Sequence, residues 1–322
     1  MPQTHTDLLP ARTVPAPRNF LDPLNPHTGR HVAVVGANGY IGSAVLEQLT
    51  TLGVPCSAVV RRPSAFAQTT AQVAYADLDD SASLQRALGG ADTVIHAASY
   101  IGPDPNVCDR TNREGTERVI DAAATIGIRN ILYISTIGVY GLGPHTRASE
   151  TDLVPSPVTA ASTTKLAAEN VIREYGGTVL RPGFVYGGAN SPFLTGLADI
   201  TTRLGSWVEN GAARASIISI GDLATAIIAL ALHDEPPSGE IFHACHPDPV
   251  TVRELVSLLA HSGLTTMPAN NLAFDDAVTL ALERGLPPTL VDLVGHDHWY
   301  DPTRLWSLTR LDPTRLHRTP TT

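Results

Sequence analysis

The chain has 322 residues, a formal net charge of −9 and an apolar content of 43%, values that suit a globular protein with one sizeable core and a smaller second lobe. No stretch concentrates arginine densely enough to follow a nucleic-acid backbone, and the most continuous apolar run, residues 223–232, is too short to cross a bilayer, so neither a nucleic acid nor a membrane is an expected partner. Three scattered cysteines fit neither a disulfide framework nor a four-ligand zinc site, and we expect a cytoplasmic protein.

Residues 1–30 contain six prolines and show no sustained periodicity. They lack the basic start and the following apolar stretch of a secretion signal. We therefore predict a mostly disordered, proline-rich extension ahead of the first structural element.

From residue 31 the chain alternates apolar strands with amphipathic helices. We predict strands at 31–35, 56–60, 72–76, 93–97, 130–135, 178–181 and 215–220, and helices at 40–51, 81–88, 112–126, 158–174, 223–232 and 252–261. Short apolar runs without strict alternation indicate strands that are covered on both faces, as in a Rossmann-type, doubly wound parallel sheet of the α/β class.

The alternation weakens after Gly187, which predicts two units. Residues 31–188 with 215–243 would form a dinucleotide-binding domain, and residues 189–214 with 244–322 a smaller substrate-binding lobe. In an open parallel sheet, ligands bind beyond the carboxyl ends of the strands, here between sheet and lobe.

A glycine-rich loop follows the first strand directly and opens the first helix. Gly36 permits the tight turn, Gly39 lets the backbone approach a pyrophosphate, and Gly42 permits close packing of helix on strand. The helix N-terminus favours the negative charge of such a group. The loop therefore predicts a dinucleotide site formed by Gly36, Asn38, Gly39, Tyr40, Ile41 and Gly42.

The end of the second strand discriminates between the two nicotinamide cofactors. An acidic residue there would bind the ribose hydroxyls of NAD, whereas this chain has Arg61 and Arg62, which suit a 2′-phosphate. We therefore expect NADP(H) in preference to NAD(H). Asp77 and Leu78, which close the third strand, are candidates for adenine contacts, with an ordinary turn aspartate as the alternative.

Several further segments, together with the loop, resemble the extended short-chain dehydrogenase/reductases, the group of nucleotide-sugar epimerases, dehydratases and flavonoid-type reductases. The resemblance covers residues 31 to about 260. Its segments occur in the family's order at 36–42, 77–78, 92–98, 112–116, 133–141, 165 with 169, 180–187 and 220–222.

The resemblance implies roles for individual residues. Thr136 matches the residue that hydrogen-bonds the reacting oxygen, and Lys165 matches the lysine that binds the nicotinamide ribose and lowers the pKa of a neighbouring tyrosine. Other matches line the cofactor: Ala97 and Ala98 beneath it, and Pro182, Gly183 and Val185 beside the carboxamide. The family often dimerises through two helices per subunit, which correspond to residues 112–126 and 158–174, so a homodimer is expected.

The chain departs from the family at Ala161, where the proton-transferring tyrosine belongs. Lys165 lies one helical turn further on and is the only lysine, since the other 21 positive side chains are arginine. Ser162 is rotated by about 100° from Ala161, so its hydroxyl is not expected to replace the phenol. Losing a positioned acid typically costs about 10²–10⁴ in rate, which slows simple ketone reduction without abolishing hydride transfer.

Three interpretations follow. In the first, the protein is an NADP(H)-dependent oxidoreductase that transfers hydride to a small carbonyl or α,β-unsaturated carbonyl compound, with the proton supplied by water or a substrate hydroxyl. In the second, the cofactor is retained and the pocket performs a cyclisation, elimination or isomerisation. In the third, the protein is a catalytically silent sensor of NADP(H). The first is favoured, and an arginine- and alanine-rich composition associates it with specialised metabolism.

Other side chains are candidates for the substrate pocket. Tyr100 follows the fourth predicted strand and is either a replacement acid or an aromatic wall, and Ser135 with Thr136 would stabilise a developing enolate. Phe184, Phe193 and Trp207 are predicted to line the pocket, with lobe core as the alternative for the last two. His296 and His298 flank a carboxylate, but no further ligand is identifiable by spacing, so no metal is predicted.

Overall fold

The computed structural model describes residues 29–62, 71–187 and 191–313, so most of the predicted N-terminal extension lies outside the described residues. The strands are β1 (Val32–Val35), β2 (Cys56–Val60), β3 (Gln72–Tyr75), β4 (Thr93–His96), β5 (Asn130–Ile134), β6 (His145–Ala148), β7 (Thr178–Pro182), β8 (Phe184–Tyr186), β9 (Ser206–Val208), β10 (Arg214–Ala215), β11 (Ile217–Ser219), β12 (Ile241–Ala244), β13 (Val250–Thr251), β14 (Asn270–Leu272) and β15 (His298–Tyr300). The α-helices are α1 (Tyr40–Thr51), α2 (Ser81–Leu88), α3 (Pro105–Cys108), α4 (Gly115–Thr125), α5 (Ala160–Tyr175), α6 (Pro192–Leu204), α7 (Ile220–Ala231), α8 (Val252–His261), α9 (Phe274–Glu283), α10 (Pro288–Gly295) and α11 (Thr303–Thr309).

A seven-stranded sheet of order β12-β7-β5-β4-β1-β2-β3 organises the molecule. All of its neighbouring strands pair in parallel. Every residue of β1 and β4 is buried, because helices cover both faces. The predicted Rossmann-type α/β fold is confirmed.

Each face of the sheet has its own core. Leu49 of α1, Ile227 of α7 and Trp306 of α11 pack with Val34 on one face, and side chains of α2, α4 and α5 pack on the other. Each fully buried Leu or Ile contributes about 1.5–3 kcal/mol relative to an exposed one, so these faces fix the helices on the sheet. α11 therefore lies with the sheet, although the sequence assigns residues 244–322 to the lobe.

The seventh strand of the sheet is β12, and the strand predicted at 215–220 is wrong. That segment forms two short strands in different sheets: β10 in a four-stranded sheet with β13, β15 and β6, and β11 paired with β8. Ser216 separates them, and its backbone N–H donates to the His298 carbonyl oxygen at 2.9 Å. β12 was not predicted from the sequence because it includes His243, a polar residue. In the structure His243 is fully buried and hydrogen-bonded.

The helix predicted at 112–126 begins earlier and is irregular. Asp104 caps α3 by accepting from the N–H groups of Asn106 and Val107, with Pro105 at the first position. A π-helical segment, Asp109–Glu114, then continues into α4. Such segments often mark functional positions, and this one carries Asn112.

The smaller lobe has a separate core, formed by buried apolar side chains of α6, α8, α9 and α10. Ser191 caps α6, and Thr251 with Glu254 forms a capping box on α8. Of the helices in the described ranges, none combines the length and the apolar character that a bilayer crossing requires.

Candidate cofactor-binding and active site

The glycine loop between β1 and α1 has the geometry that its sequence predicts. Gly36 adopts φ +82°, and a Cβ there would lie 2.5 Å from the Ala98 backbone nitrogen. A Cβ on Gly42 would lie 2.9 Å from the Gly36 carbonyl carbon. Both positions therefore exclude larger residues, and the loop closes tightly against the ends of β1 and β4.

The N-terminus of α1 is open to an anion. Its N-cap, Gly39, provides no side-chain hydrogen bond, and the first turn contains no acidic residue. By contrast, Asp80 caps α2 and Thr159 caps α5. The first-turn N–H groups of α1 therefore remain available for a phosphate, so this loop fits the pyrophosphate of a dinucleotide.

Predicted cofactor contacts from three separate segments lie together at the carboxyl edge of the sheet. Ile41, Ala97 and Val185 are partly buried and pack against the same core. The Tyr40 hydroxyl donates to the Gly187 carbonyl oxygen at 2.6 Å, which ties the loop to the end of β8. Pro182 and Gly183 are buried, and a Cβ on Gly183 would lie 2.5 Å from the Ser216 carbonyl oxygen.

The predicted adenosine end lies beyond β2 and β3. Arg61 and Arg62 are exposed where β2 ends, and Asp77 is exposed after β3. Leu78 packs toward Gly115 at the start of α4, where an added Cβ would meet its Cδ1 at 2.9 Å. Leu78 thus joins this corner of the sheet to the helix.

Asp79 organises the arginines of this corner, a role that the sequence did not reveal. It accepts hydrogen bonds from Arg110 and, at 3.1 Å, from Arg118. Arg110 chiefly, and then Arg118 and Arg61, hold the pKa of Asp79 below its ordinary value. The corner therefore combines several guanidinium groups around one carboxylate.

Lys165 is buried at the end of β5, with 6% of its surface exposed. Its Nζ donates to the Ile134 carbonyl oxygen at 2.9 Å and lies 5.2 Å from the centre of the Tyr133 ring. Burial lowers the pKa of Lys165 to about 8, and Glu169, one turn along α5, acts in the opposite direction. The ammonium therefore lies inside the sheet edge rather than in bulk solvent.

A buried set of hydrogen-bonded side chains, which we call the Glu169 network, extends from α5 into the sheet: Ser135, Glu169, Arg181, Tyr140 and His243. The Arg181 Nε lies 3.0 Å from Glu169 Oε1 and its Nη2 lies 2.5 Å from Oε2. Ser135 also donates to Glu169, so its hydroxyl is engaged in the interior. Arg181 Nη1 donates to the Tyr140 hydroxyl at 2.7 Å, which completes a chain of paired polar groups.

His243 ends this network as a neutral acceptor. Burial chiefly, together with the charge of Arg181, lowers the pKa of His243 to about 4. Its Nδ1 faces the Asp301 carbonyl oxygen at 3.3 Å and so carries the hydrogen. Nε2 therefore accepts from the Tyr140 hydroxyl, 2.6 Å away.

The residues expected near the substrate include Thr136 and Ala161. Thr136 Oγ1 accepts from the Gly138 N–H at 3.0 Å, which leaves its own hydroxyl hydrogen for a ligand. Ala161 is partly buried near the N-terminus of α5. Ser162 forms the capping box with Thr159 at an Oγ–Oγ distance of 2.8 Å, so its hydroxyl is engaged in the cap.

Asn112 fixes the loop that carries Tyr100. Its Oδ1 accepts from the Tyr100 N–H at 2.8 Å, and its Nδ2 donates to the Tyr100 carbonyl oxygen at 2.9 Å and to Thr164 Oγ1 at 3.0 Å. The Tyr100 ring covers Gly102, where an added Cβ would collide with the phenol. In the sequence, Asn112 is identified only as part of a family motif. In the structure it lies in the π-helical segment and hydrogen-bonds the Tyr100 backbone.

The predicted aromatic wall is divided between the site and the lobe. Phe184 and Phe193 stack with ring centres 4.5 Å apart and planes 18° apart. Trp207 is 7% exposed inside the lobe core, with Arg253 4.2 Å above its ring. Trp207 is therefore part of the lobe core, the alternative given for it above. Phe184 and Phe193 remain candidates for the pocket.

The two histidines near residue 297 serve a structural purpose. His296 Nδ1 and His298 Nε2 lie 2.7 and 2.9 Å from the two oxygens of Asp292, which also accepts from the Gly143 N–H. Across residues 29–62, 71–187 and 191–313, no group of three or more His, Cys, Asp or Glu side chains has the geometry of a metal site. The segment ties a loop of the sheet domain to the lobe.

Comparisons with known proteins agree with this geometry. Residues 32–245 match the model described as the NAD dependent epimerase/dehydratase family. The chain is 27% identical over 257 residues to a 4-hydroxy-2-methyl-3-oxo-4-farnesyl-3,4-dihydroquinoline-1-oxide ketoreductase of Stigmatella aurantiaca, covering 76% of each chain. It is 33% identical over 124 residues to cinnamoyl-CoA reductase 1 of Oryza sativa subsp. japonica, covering 35% of this chain and 36% of that one. A solved structure, MoeE5 in complex with UDP-glucose and NAD, superposes with a TM-score of 0.69 at 24% identity and covers 89% of this chain and 95% of that one, which is a likeness of fold.

Proposed function

The chain belongs to the NAD dependent epimerase/dehydratase family, and on this premise we propose that it is an NADP(H)-dependent oxidoreductase that transfers hydride to a small, fairly apolar carbonyl or α,β-unsaturated carbonyl compound. The family match confirms the resemblance to the extended short-chain dehydrogenase/reductases, whose members depend on a nicotinamide cofactor. The activity of this chain and its place in specialised metabolism are the proposal.

The observation that carries the proposal is the position of Lys165. The only lysine of the chain is buried beside the end of β5, where a cofactor ribose would lie in this family. A buried ammonium is costly, so its retention favours a role in binding or chemistry. The names of two relatives, a ketoreductase and a cinnamoyl-CoA reductase, support a carbonyl substrate.

The bound cofactor would supply the hydride, and the protein side chains would orient the acceptor. Thr136 has a hydroxyl hydrogen to donate to the carbonyl oxygen as negative charge develops there. Lys165 would bind the ribose while its ammonium stabilises that charge. The N-terminus of α1 and the apolar contacts of Ile41, Ala97 and Val185 would hold the dinucleotide.

Arginine at the end of β2 supports NADP(H) over NAD(H), although MoeE5 and other neighbouring structures contain NAD. A charge-assisted contact to a 2′-phosphate is worth about 1.5–3 kcal/mol, or roughly 10–100-fold in affinity. Arg61→Ala should weaken NADPH binding by about this factor and leave NADH unchanged, whereas Arg86→Ala, an exposed arginine on α2, should change neither. Calorimetric titration checks this, and equal affinities of the unmodified protein for NADPH and NADH would contradict the assignment.

A non-redox reaction is the second candidate function, and Ala161 is the observation that favours it. A cyclisation, elimination or isomerisation need not return a proton through the missing phenol. Incubation with NADPH and candidate ketones, following reduced-nicotinamide absorbance and product mass together, separates the two. We expect one cofactor oxidised per product; product without cofactor oxidation would select the non-redox reaction.

The homodimer also remains a proposal. α4 and α5 pack side by side on one face of the sheet, and the family resemblance implies pairing through these helices. Sedimentation of the full chain would report a dimer if they pair.

A further inference from the structure

We propose that the substrate supplies the proton that the chain lacks, because it is an aryl ketone with a hydroxyl group next to the carbonyl, bound with that hydroxyl above Ala161. This inference rests on the proposed reductase function and identifies its substrate class. It follows from three features: the engagement of the nearby protein hydroxyls, the exposed apolar side chains near Ala161, and the ammonium of Lys165.

Three hydroxyls of α5 and β5, those of Ser162, Thr164 and Ser135, are already engaged, and the Thr136 hydroxyl serves to hydrogen-bond the carbonyl oxygen in the proposed function. Ser162 is held in the capping box. Thr164 donates to the Ala160 carbonyl oxygen at 2.8 Å and accepts from Asn112. Ser135 donates to Glu169. Each of these side chains would have to break a hydrogen bond to donate a proton to a substrate.

The tyrosines offer no ready substitute. All eight lie within the described residues. Tyr40 donates to Gly187, Tyr140 is held between Arg181 and His243, and Tyr133 is fully buried. The Tyr100 ring lies over Gly102 in its own loop. Of these four phenols, three are therefore hydrogen-bonded or buried elsewhere, and the fourth lies over its own loop.

Exposed apolar side chains occur near Ala161, and we call the set of Leu142, Val158 and Ala161 the apolar rim. Leu142 and Val158 are 48% and 49% exposed. They are neighbours, because Val158 packs 3.7 Å from the Cβ position of Gly141, the residue before Leu142. An exposed apolar surface beside a buried charge suits an aromatic ring that carries a polar group on one edge.

Phe184 and Phe193 form a partly buried aromatic pair beside the lobe core. Phe184 follows the buried Gly183 and packs against both the lobe core and the cluster around Val139 and Tyr140. Its ring stacks on Phe193 with centres 4.5 Å apart. A flat aryl substrate would meet aromatic carbon here, which favours an aromatic over a sugar-like ligand.

An ortho hydroxyl has the geometry that an acid requires. It lies within hydrogen-bond distance of the carbonyl oxygen of the same molecule, about 2.5–3.0 Å for O–H···O. A group held in this way reacts at a high effective concentration. The substrate would thus carry the donor that a tyrosine at position 161 would otherwise provide.

Hydride and proton reach the ketone from different donors. The hydride of the reduced nicotinamide would add with its electron pair to the carbonyl carbon, and the carbon–oxygen π bond would break. The carbonyl oxygen takes the proton of the adjacent hydroxyl, and the resulting aryloxide takes a proton from the Lys165 ammonium, which recovers one from water. Lys165 is placed for this because only one of its hydrogens is used on Ile134. One ketone, one NADPH and one proton give one alcohol and one NADP⁺.

The unmodified enzyme tests this with three ketones: ortho-hydroxyacetophenone, its methyl ether and acetophenone. With NADPH, kcat for the hydroxy ketone should exceed that for the methyl ether by about 10²-fold or more, because the ether cannot donate a proton. Borohydride reduction of the same ketones corrects for their intrinsic reactivities. Equal corrected rates for the hydroxy ketone and the ether would overturn the inference and leave the reductase function standing.

Two substitutions of matched size locate the hydroxyl. Ala161→Tyr should raise the rate on acetophenone by about 10²-fold and lower it on the hydroxy ketone, since the new ring occupies the same space. Ala161→Phe should lower the hydroxy-ketone rate without any gain on acetophenone. An unchanged hydroxy-ketone rate in Ala161→Phe would overturn the inference alone. Failure of all three ketones to oxidise NADPH with the unmodified enzyme and with Ala161→Tyr would overturn the reductase function as well.

Discussion

The Glu169 network and the apolar rim differ in how completely their polar groups are paired. In the network, Glu169 and Arg181 are almost completely buried, with side chains 1% and 3% exposed, and their charged atoms have partners. In the rim, Leu142 and Val158 expose apolar surface and Ala161 presents only a methyl group. The polar groups of the network are therefore paired, whereas position 161 presents no proton donor.

This contrast agrees with the proposed function, in which the substrate rather than a tyrosine supplies the proton. A buried ion pair gives little net stability over apolar side chains of the same size, so stability alone does not explain the Glu169 network. The burial of the single lysine of the chain agrees with the proposed role in binding or chemistry.

Substitution of Lys165 should have the largest effect on activity. Lys165→Met should lower kcat/KM at least about 10²-fold, and Lys165→Arg should do the same, because a guanidinium is larger and does not give up its proton. Steady-state kinetics with a ketone that the unmodified enzyme reduces provide the measurement, and circular dichroism verifies the fold. Activity within twofold of the unmodified enzyme in either variant would contradict the assigned role.

Glu169→Gln tests the network directly. It leaves the buried Arg181 without its counter-charge, so the free energy of unfolding should fall by about 3–5 kcal/mol. Glu174→Gln, which changes an exposed carboxylate on the same helix, should alter stability by less than about 0.5 kcal/mol. Urea titration compares the two, and similar values for both would show that the ion pair is not structurally important.

The titration of Lys165 gives a pH-dependent stability. Its pKa is lowered on folding from 10.5 to about 8, so between these two values the unfolded chain binds more protons than the folded one. The contribution of Lys165 to the free energy of unfolding should therefore increase as the pH rises through this window. The pH dependence of stability should show a smaller rise in Lys165→Met. Urea midpoints measured at several pH values check the slope; identical slopes in both proteins would place Lys165 in solvent.

Tyr100→Phe should have the smallest effect. Because its ring covers Gly102 rather than replacing the missing phenol, turnover should change by less than about threefold. Tyr75→Phe, on the exposed edge strand β3, is the matched control and should be neutral. A loss greater than about tenfold in Tyr100→Phe alone would make Tyr100 the acid and contradict the contribution of the substrate hydroxyl.

The sequence predicted the parts of this molecule that depend on local signals. β2, α1, α2 and α8 have the predicted bounds, because apolar runs, glycines and capping residues mark their ends. The tight turn at Gly36, with φ +82°, followed from the glycine motif in the same way. These features need only neighbouring residues.

Features that depend on distant partners could not be predicted. β12 contains His243, whose polar ring interrupts the apolar pattern of the strand in the sequence; its partner, the Tyr140 hydroxyl that donates to Nε2, comes from a distant segment. Ser135 was expected at the substrate, yet Glu169, brought close by α5, turns its hydroxyl inward. Asn112 lies in a π-helical segment, which the sequence did not predict, and hydrogen-bonds the backbone of Tyr100 twelve residues earlier.

The central claim, hydride transfer beside Lys165, is tested most directly with NADPH that carries deuterium at the transferable position of the nicotinamide ring. With ortho-hydroxyacetophenone as the acceptor, the alcohol product should contain one deuterium at the former carbonyl carbon, with one cofactor oxidised per alcohol formed. A product that forms without deuterium while the cofactor stays reduced would contradict the account.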